Sequence, residues 1–347
     1  MFKPSAEAWV GRRAFLASLG AGGILTAATA CTPEGAADAE FTITTGHAST
    51  EDHFHHLSLE HFKDLIEEGS DGQIAVHIHP NAVFGDDREI IESCQLDNLQ
   101  TGLPATAPLA GFIRDITVWE IPFLFDDTDH AYRALDSDFG RSILDQAENH
   151  GLIGLEYWEN GFRHLTTRST AVEDPDDVQN LSVRTMESPA HLQAWGSVGA
   201  NPTPMAFGEV YVGLQQGTIH AQENPLPLIE AQRFYEVQDY LIRTGHVYGP
   251  SPFIMSKAFY DSLPSSLQDL VREAAAETRD YCRQEAKIAD ENALETIRDS
   301  GTEIIELDQE QREAFGEIMR EGAENYVRSA VGDETLEDLY ETVEEAR

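Results

Sequence analysis

Asn180-Leu-Ser-Val-Arg-Thr-Met-Glu-Ser-Pro189 holds the unit on which this chain is built: a strand, Leu181 to Thr185, followed at once by a helix-forming stretch from Ser188 to Val198. Gly and Pro bound that stretch, as they bound the next, Phe207 to Gln216. Upstream, across an acidic turn containing Pro175, Phe162 to Thr166 reads as another strand. This βα alternation begins near Gly161 and marks an α/β module.

A second module of the same kind precedes it. Phe41 to Thr45 alternates as a strand, and His53 to Glu68 carries Phe54, Leu57, Phe62, Leu65 and Ile66 at helical spacing. Asp71-Gly72 turns the chain into the strand Ile74 to Ile78. Helices are expected at Asp86 to Gln100 and His130 to His150, with a strand at Leu152 to Trp158. From Pro264 to Asp299 no Gly or Pro interrupts an apolar stripe through Leu267, Val271, Ala274 and Ile297. A helix of that length reaches about 50 Å, enough to run across two lobes. Gln309 to Glu345 is amphipathic helix again. With 347 residues, 41% of them hydrophobic, the chain is too long for one comfortable core and long enough for two.

The N-terminus reads as an address. Gly11-Arg12-Arg13-Ala14-Phe15-Leu16 resembles a twin-arginine export signal, and the mild apolar run to Ala30 is too short to span a bilayer well. It ends in Ala28-Thr29-Ala30-Cys31, which looks like a lipobox, so Cys31 is the expected lipid anchor; plain cleavage after an Ala-x-Ala-like site is the alternative. A polar tether, 32-40, follows.

Setting aside Lys3, Arg12, Arg13 and Glu7, the chain from Cys31 onward carries 20 basic against 61 acidic residues, a net charge of −41. Nucleic acid is a poor partner for such a surface. Only four lysines occur, and carboxylates recur in runs such as Asp176-Asp177 and Glu344-Glu345, a pattern expected of a protein adapted to high salt.

Familiar catalytic signatures are absent: there is no Gly-x-Ser-x-Gly elbow, Walker loop or His-Glu-x-x-His helix. Glu51-Asp52-His53-Phe54-His55-His56 is the most metal-like stretch, but adjacent imidazoles diverge by about 100° on a helix, and an exposed helix start is expected there. Cys94 and Cys282 are expected to be buried thiols rather than a disulfide.

Asn180 to Pro189, Gly199-Ala-Asn-Pro-Thr-Pro-Met-Ala-Phe-Gly-Glu-Val-Tyr211, Gln215-Gln-Gly217, Gln222-Glu-Asn-Pro225 and Phe234-Tyr-Glu-Val-Gln238 follow one another in an order and spacing that resemble the DctP-like solute-binding proteins of TRAP transporters. The resemblance extends from about Phe41 through the C-terminal helices. It implies two α/β lobes of periplasmic-binding-protein type, joined by hinge strands and a long helix spanning both. The lobes would comprise 41-160 with 250-289 and 161-249 with 290-347, after a signal over 1-31. It implies capture of a small organic acid, whether C4-dicarboxylate, sugar acid or other carboxylate, without a cofactor, and delivery to one large and one small membrane subunit.

Carried over residue by residue, Arg184 matches the arginine that pairs bidentately with the solute carboxylate, for which a planar fork suits better than an ammonium. Arg163 matches a second pocket arginine, Asn224 an amide reaching the same carboxylate, and Phe207 the aromatic wall beneath the solute. Asp87, in Phe84-Gly85-Asp86-Asp87-Arg88, matches a residue that touches polar solute groups or caps a helix. A pocket glutamate of the sialic-acid-binding branch falls where this chain has Ala105, which argues against sialic acid. Leu103 to Thr106, His47 and Trp158 are further candidates for the far end of the solute. Two rivals share these residues: a binding protein serving a sensor kinase, and an enzyme on the same scaffold with a base near Arg184.

Overall fold

A computed structural model describes residues 39–347; the twin arginines, Cys31 and most of the tether lie outside the described residues. The strands are β1 (Phe41–Gly46), β2 (Ile74–His79), β3 (Thr101–Gly102), β4 (Leu152–Thr167), β5 (Ser182–Thr185), β6 (Asn201–Pro204), β7 (Ala221–Asn224), β8 (Tyr240–Ser256) and β9 (Glu303–Glu306). They form one sheet ordered β2-β1-β3-β8-β4-β7-β5-β6, with β9 on β8. Parallel βα units build both ends: β1 pairs with β2 across helix α1 (Phe54–Gly69), and β5 pairs with β6 and β7. The long strands β4 and β8 run antiparallel through the middle and join the two halves.

Gly161 does not break the strand as its sequence suggests. Leu152 to Thr167 is one strand, and register irregularities between Trp158 and Gly161 and between Arg163 and Leu165 absorb the glycine, whose φ is 119°. The helix expected at Asp86 to Gln100 is shorter, Asp87–Gln95 (α2), and ends before Asp97, whose φ is 58°. His130 to His150 is broken where Ser137 caps a new helix, Asp138–Asp145, and the C-terminal helix is split at Gly332 (φ 87°).

The helix Ser265–Asp299 is continuous as expected. Its Val271, Ala275 and Cys282 pack with Ile43, Phe62 and Phe253 under one half of the sheet, whereas Ala293 and Ile297 pack with Val210, Leu214 and Phe234 under the other. One helix thus seals the cores of both lobes. Cys94 and Cys282 are buried and unbridged, and burial pushes the Cys282 thiol up to about 12.

Candidate functional site

Where the two halves of the sheet face each other lies a cavity of about 150 Å³. Ser49, His55, Asp87, Leu103 and Ala105 line it from one side, Arg184, Met205, Phe207 and Asn224 from the other, with Asn160 and Arg163 of β4 as its floor. All five residues singled out from the sequence therefore meet in one space.

Arg184 is 2% exposed, projecting from β5. Its Nε and Nη2 both donate to the Met205 carbonyl, at 2.9 and 2.7 Å, while Nη1 is buried without a partner. Burial lowers its pKa to about 10, so the guanidinium stays charged at neutral pH. A buried, uncompensated N–H edge is costly unless an anion meets it.

Arg163 is occupied differently. Its Nε and Nη2 donate to the Glu223 carboxylate at 2.5 and 3.0 Å, and Nη2 also to Asn224 Oδ1 at 3.0 Å. Glu223 accepts from His246 Nε2 as well, at 3.1 Å. Burial alone would raise the Glu223 carboxyl, but the Arg163 charge and these hydrogen bonds outweigh it and hold the group well below the usual range. His246 is pushed down by burial, despite the bond to Glu223. The pair is fully buried, and it spends most of the Arg163 charge inside the protein.

Asn224 is braced at both ends, its Oδ1 by Arg163 and its Nδ2 by Gln222 Oε1. Phe207 opens a 3₁₀ turn and meets Phe234 edge-on, with ring centroids 6.1 Å apart. Asp87 is not the cap of α2, which is Asp86; its Oδ2 accepts from the Ala105 N–H at 3.1 Å, and burial pushes its carboxyl up to about 6. Of the further candidates, Leu103 and Ala105 reach the cavity, whereas Trp158 is core, stacked on Phe253 at 4.2 Å.

The histidines correct the reading of the sequence. His53 and His55 are 4% and 5% exposed rather than solvated, the start of α1 meeting β4 at the Glu159 carbonyl. His55 Nε2 donates to the Glu159 carbonyl at 2.7 Å, and the ring borders the cavity. Burial holds its pKa down to about 4. Among the described residues no set of three or more His, Cys, Asp or Glu side chains is arranged to hold a metal. Glu223 and His246 escaped sequence reasoning because only tertiary contact brings them to each other and to Arg163.

A larger cavity, about 450 Å³, is lined by Glu159, His164, Arg243, Asp290 and Glu306. None of the five expected residues reaches it, and Arg243 there is paired with Glu306.

Residues 45–329 match the family model DctP, bacterial extracellular solute-binding protein, family 7. A solute-binding protein of Verminephrobacter eiseniae is 36% identical over 72% of this chain and 75% of its own length. The 2,3-diketo-L-gulonate-binding periplasmic protein of Escherichia coli is 32% identical over 79% of this chain and 83% of its own. The crystal structure of the sugar acid binding protein of Advenella mimigardefordensis in complex with galactonate superposes with a TM-score of 0.85, at 32% identity, covering 88% of this chain and 98% of that one. With that match running through both lobes, the hinge strands and the long helix, this chain belongs to the DctP family, family 7 of the bacterial extracellular solute-binding proteins, and is the solute-binding subunit of a TRAP-type transporter.

Proposed function

We propose that the cavity captures a small organic acid by its carboxylate, on the free Nη1 edge of Arg184. The observation that carries this is the buried, unpartnered Nη1 of Arg184 at the cavity wall. With Nε and one Nη2 hydrogen committed to Met205, the remaining fork is end-on, Nη1 with the second Nη2 hydrogen, and still offers two parallel donors to two carboxylate oxygens. Arg163, locked to Glu223, braces Asn224 at the floor; Phe207 is the apolar wall. Similar proteins crystallised with galactonate, D-erythronate and succinate agree with a carboxylate as the shared feature.

We assign 41-160 with 250-289 to one lobe and 161-249 with 290-347 to the other, so that closure about β4 and β8 brings Arg184 and Asp87 onto one solute. The closed form is the state handed to the large and small membrane subunits. No catalytic step and no cofactor is assigned. Export by the twin-arginine signal and lipidation at Cys31 would hold the chain at the outer face of the cytoplasmic membrane, and no described helix is long and apolar enough to cross it.

Calorimetry of the full chain with a panel of small carboxylates, beside Arg184→Lys, tests the site; a panel that yields no carboxylate ligand would overturn it. For the anchor, Cys31→Ser should release the protein into the medium. Unchanged membrane retention of that variant would remove the lipid from the account.

A further inference from the structure

The geometry points to a hydroxyl-reading subsite opposite Arg184, formed by Asp87, His55 and Ser49, which selects a hydroxylated monocarboxylate and rejects a dicarboxylate of the same length. This deepens the carboxylate reading above and rests on it.

The charge inventory of the cavity has one free buried cation. Arg163 is neutralised by Glu223, leaving Arg184. Arg88, the third arginine on the lining, has a side chain 57% exposed, pairs with Glu92 at 3.3 Å and lies over the Phe112 ring. One carboxylate is therefore matched and a second is not. Across the cavity, the exposed Arg88 apart, the charged groups are carboxylates: Asp87, with Asp86 at the cap of α2 and Glu89 on its first turn. A second carboxylate on the solute would face these acids with no buried cation to meet it.

Hydrogen-bond acceptors dominate the same wall. Asp87 Oδ2 is held by the Ala105 N–H at 3.1 Å, which aims its carboxylate without satisfying all of its lone pairs. His55 must carry its ring proton on Nε2, because that nitrogen bonds a carbonyl, which only accepts. Nδ1 is thereby left as an acceptor, 3.5 Å from Ser49 Oγ, a contact too long to saturate it. The ring is neutral at neutral pH and offers no charge to a second carboxylate. A wall of acceptors asks for donors, and hydroxyl groups are the donors that bring no charge of their own. Where a site is built to hydrogen-bond a hydroxyl, the analogue without it leaves buried polar groups unpaired and is discriminated strongly.

Four-carbon acids that share one carboxylate and differ along the rest of the chain provide the test: 2,3,4-trihydroxybutanoate, butanoate and succinate, titrated by calorimetry into the full chain at neutral pH, with six-carbon hexonate and adipate as a longer pair. The hydroxylated acid is expected to bind at least tenfold more tightly than the other two of its length. Asp87→Asn, whose amide oxygen can still accept from Ala105, should narrow the trihydroxybutanoate-to-succinate ratio at least fivefold, chiefly through a gain for succinate. Arg184→Lys should weaken all the acids alike. Succinate or butanoate binding as tightly as the hydroxylated acid, or a ratio unmoved in Asp87→Asn, overturns the subsite while leaving the carboxylate reading intact. Failure of all five acids to bind overturns both.

Discussion

Asp86 and Gly208, 122 positions apart in sequence, are joined across the cavity mouth: Asp86 Oδ2 accepts a hydrogen bond from the Gly208 backbone N–H at 3.3 Å. Asp86 caps α2 in one half of the molecule, and Gly208 sits in the 3₁₀ turn beside Phe207 in the other. On the closure proposed above, the bond forms only when the halves come together, so it would stabilise the closed form and not the open one. Its loss should speed solute release. At about 1 kcal/mol for one such bond, Asp86→Ala should weaken affinity about fivefold, mostly in the dissociation rate, with Asp86→Asn less affected. Stopped-flow dissociation of a bound acid reads this directly, and an unchanged off-rate in Asp86→Ala would deny the contact any part in closure.

Arg184→Lys should leave the fold intact and weaken carboxylate binding roughly ten- to more than a hundred-fold, since a lost charge-assisted hydrogen bond costs about 1.5–3 kcal/mol. An ammonium cannot serve the Met205 carbonyl and a bidentate carboxylate with the fork's fixed geometry. Calorimetry with circular dichroism separates binding from folding. Affinity within threefold of the wild type would mean that Arg184 is not the clamp.

Glu223→Gln should destabilise the protein by about 3–5 kcal/mol at neutral pH, because it strips the buried Arg163 of its counter-charge. The sign with pH follows from the depressed Glu223 carboxyl. Its stabilisation is fully present above the ordinary carboxyl value of 4.5 and is lost as pH falls below it. Urea unfolding at stepped pH should show the wild type losing stability below pH 4.5 more steeply than the variant. Parallel slopes would remove Glu223 as an acid-sensitive element. Arg163→Lys should likewise act more on stability than on affinity.

The midpoint of thermal unfolding should rise with KCl. A net charge of −41 from Cys31 onward repels itself in dilute buffer, and at 1 M salt the screening length is about 3 Å. A midpoint that is flat or falls between dilute and molar salt would leave the acidic surface without this role.

The alternation of strand and helix, the uninterrupted helix Ser265–Asp299 and the cluster of motifs around Arg184 were legible in the sequence because each is local: a period, a missing breaker, a spacing. Even so, local signals misread Gly161, which reads as a break between two strands but lies within the 16-residue strand β4, because pairing along β8 outweighs one residue's preference. The histidines show the same limit. Nothing in the spacing of His53, His55 and His56 distinguishes a solvated helix start from one that meets a hinge strand; burial is decided by what covers the helix.

The site divides in the same way. The expectation that Arg184 belongs to the site came from its motif, and it lines the cavity, whereas the state of Arg163 was not readable. Its charge is neutralised because antiparallel pairing of β4 with β7 sets Leu165 opposite Glu223 and His164 opposite Asn224, and His246 arrives from β8. Sequence alone determined which residue types this chain carries and how its backbone alternates. Tertiary structure decided which charges remain free, because electrostatic energy depends on distance and burial, and a chain read in one dimension contains neither.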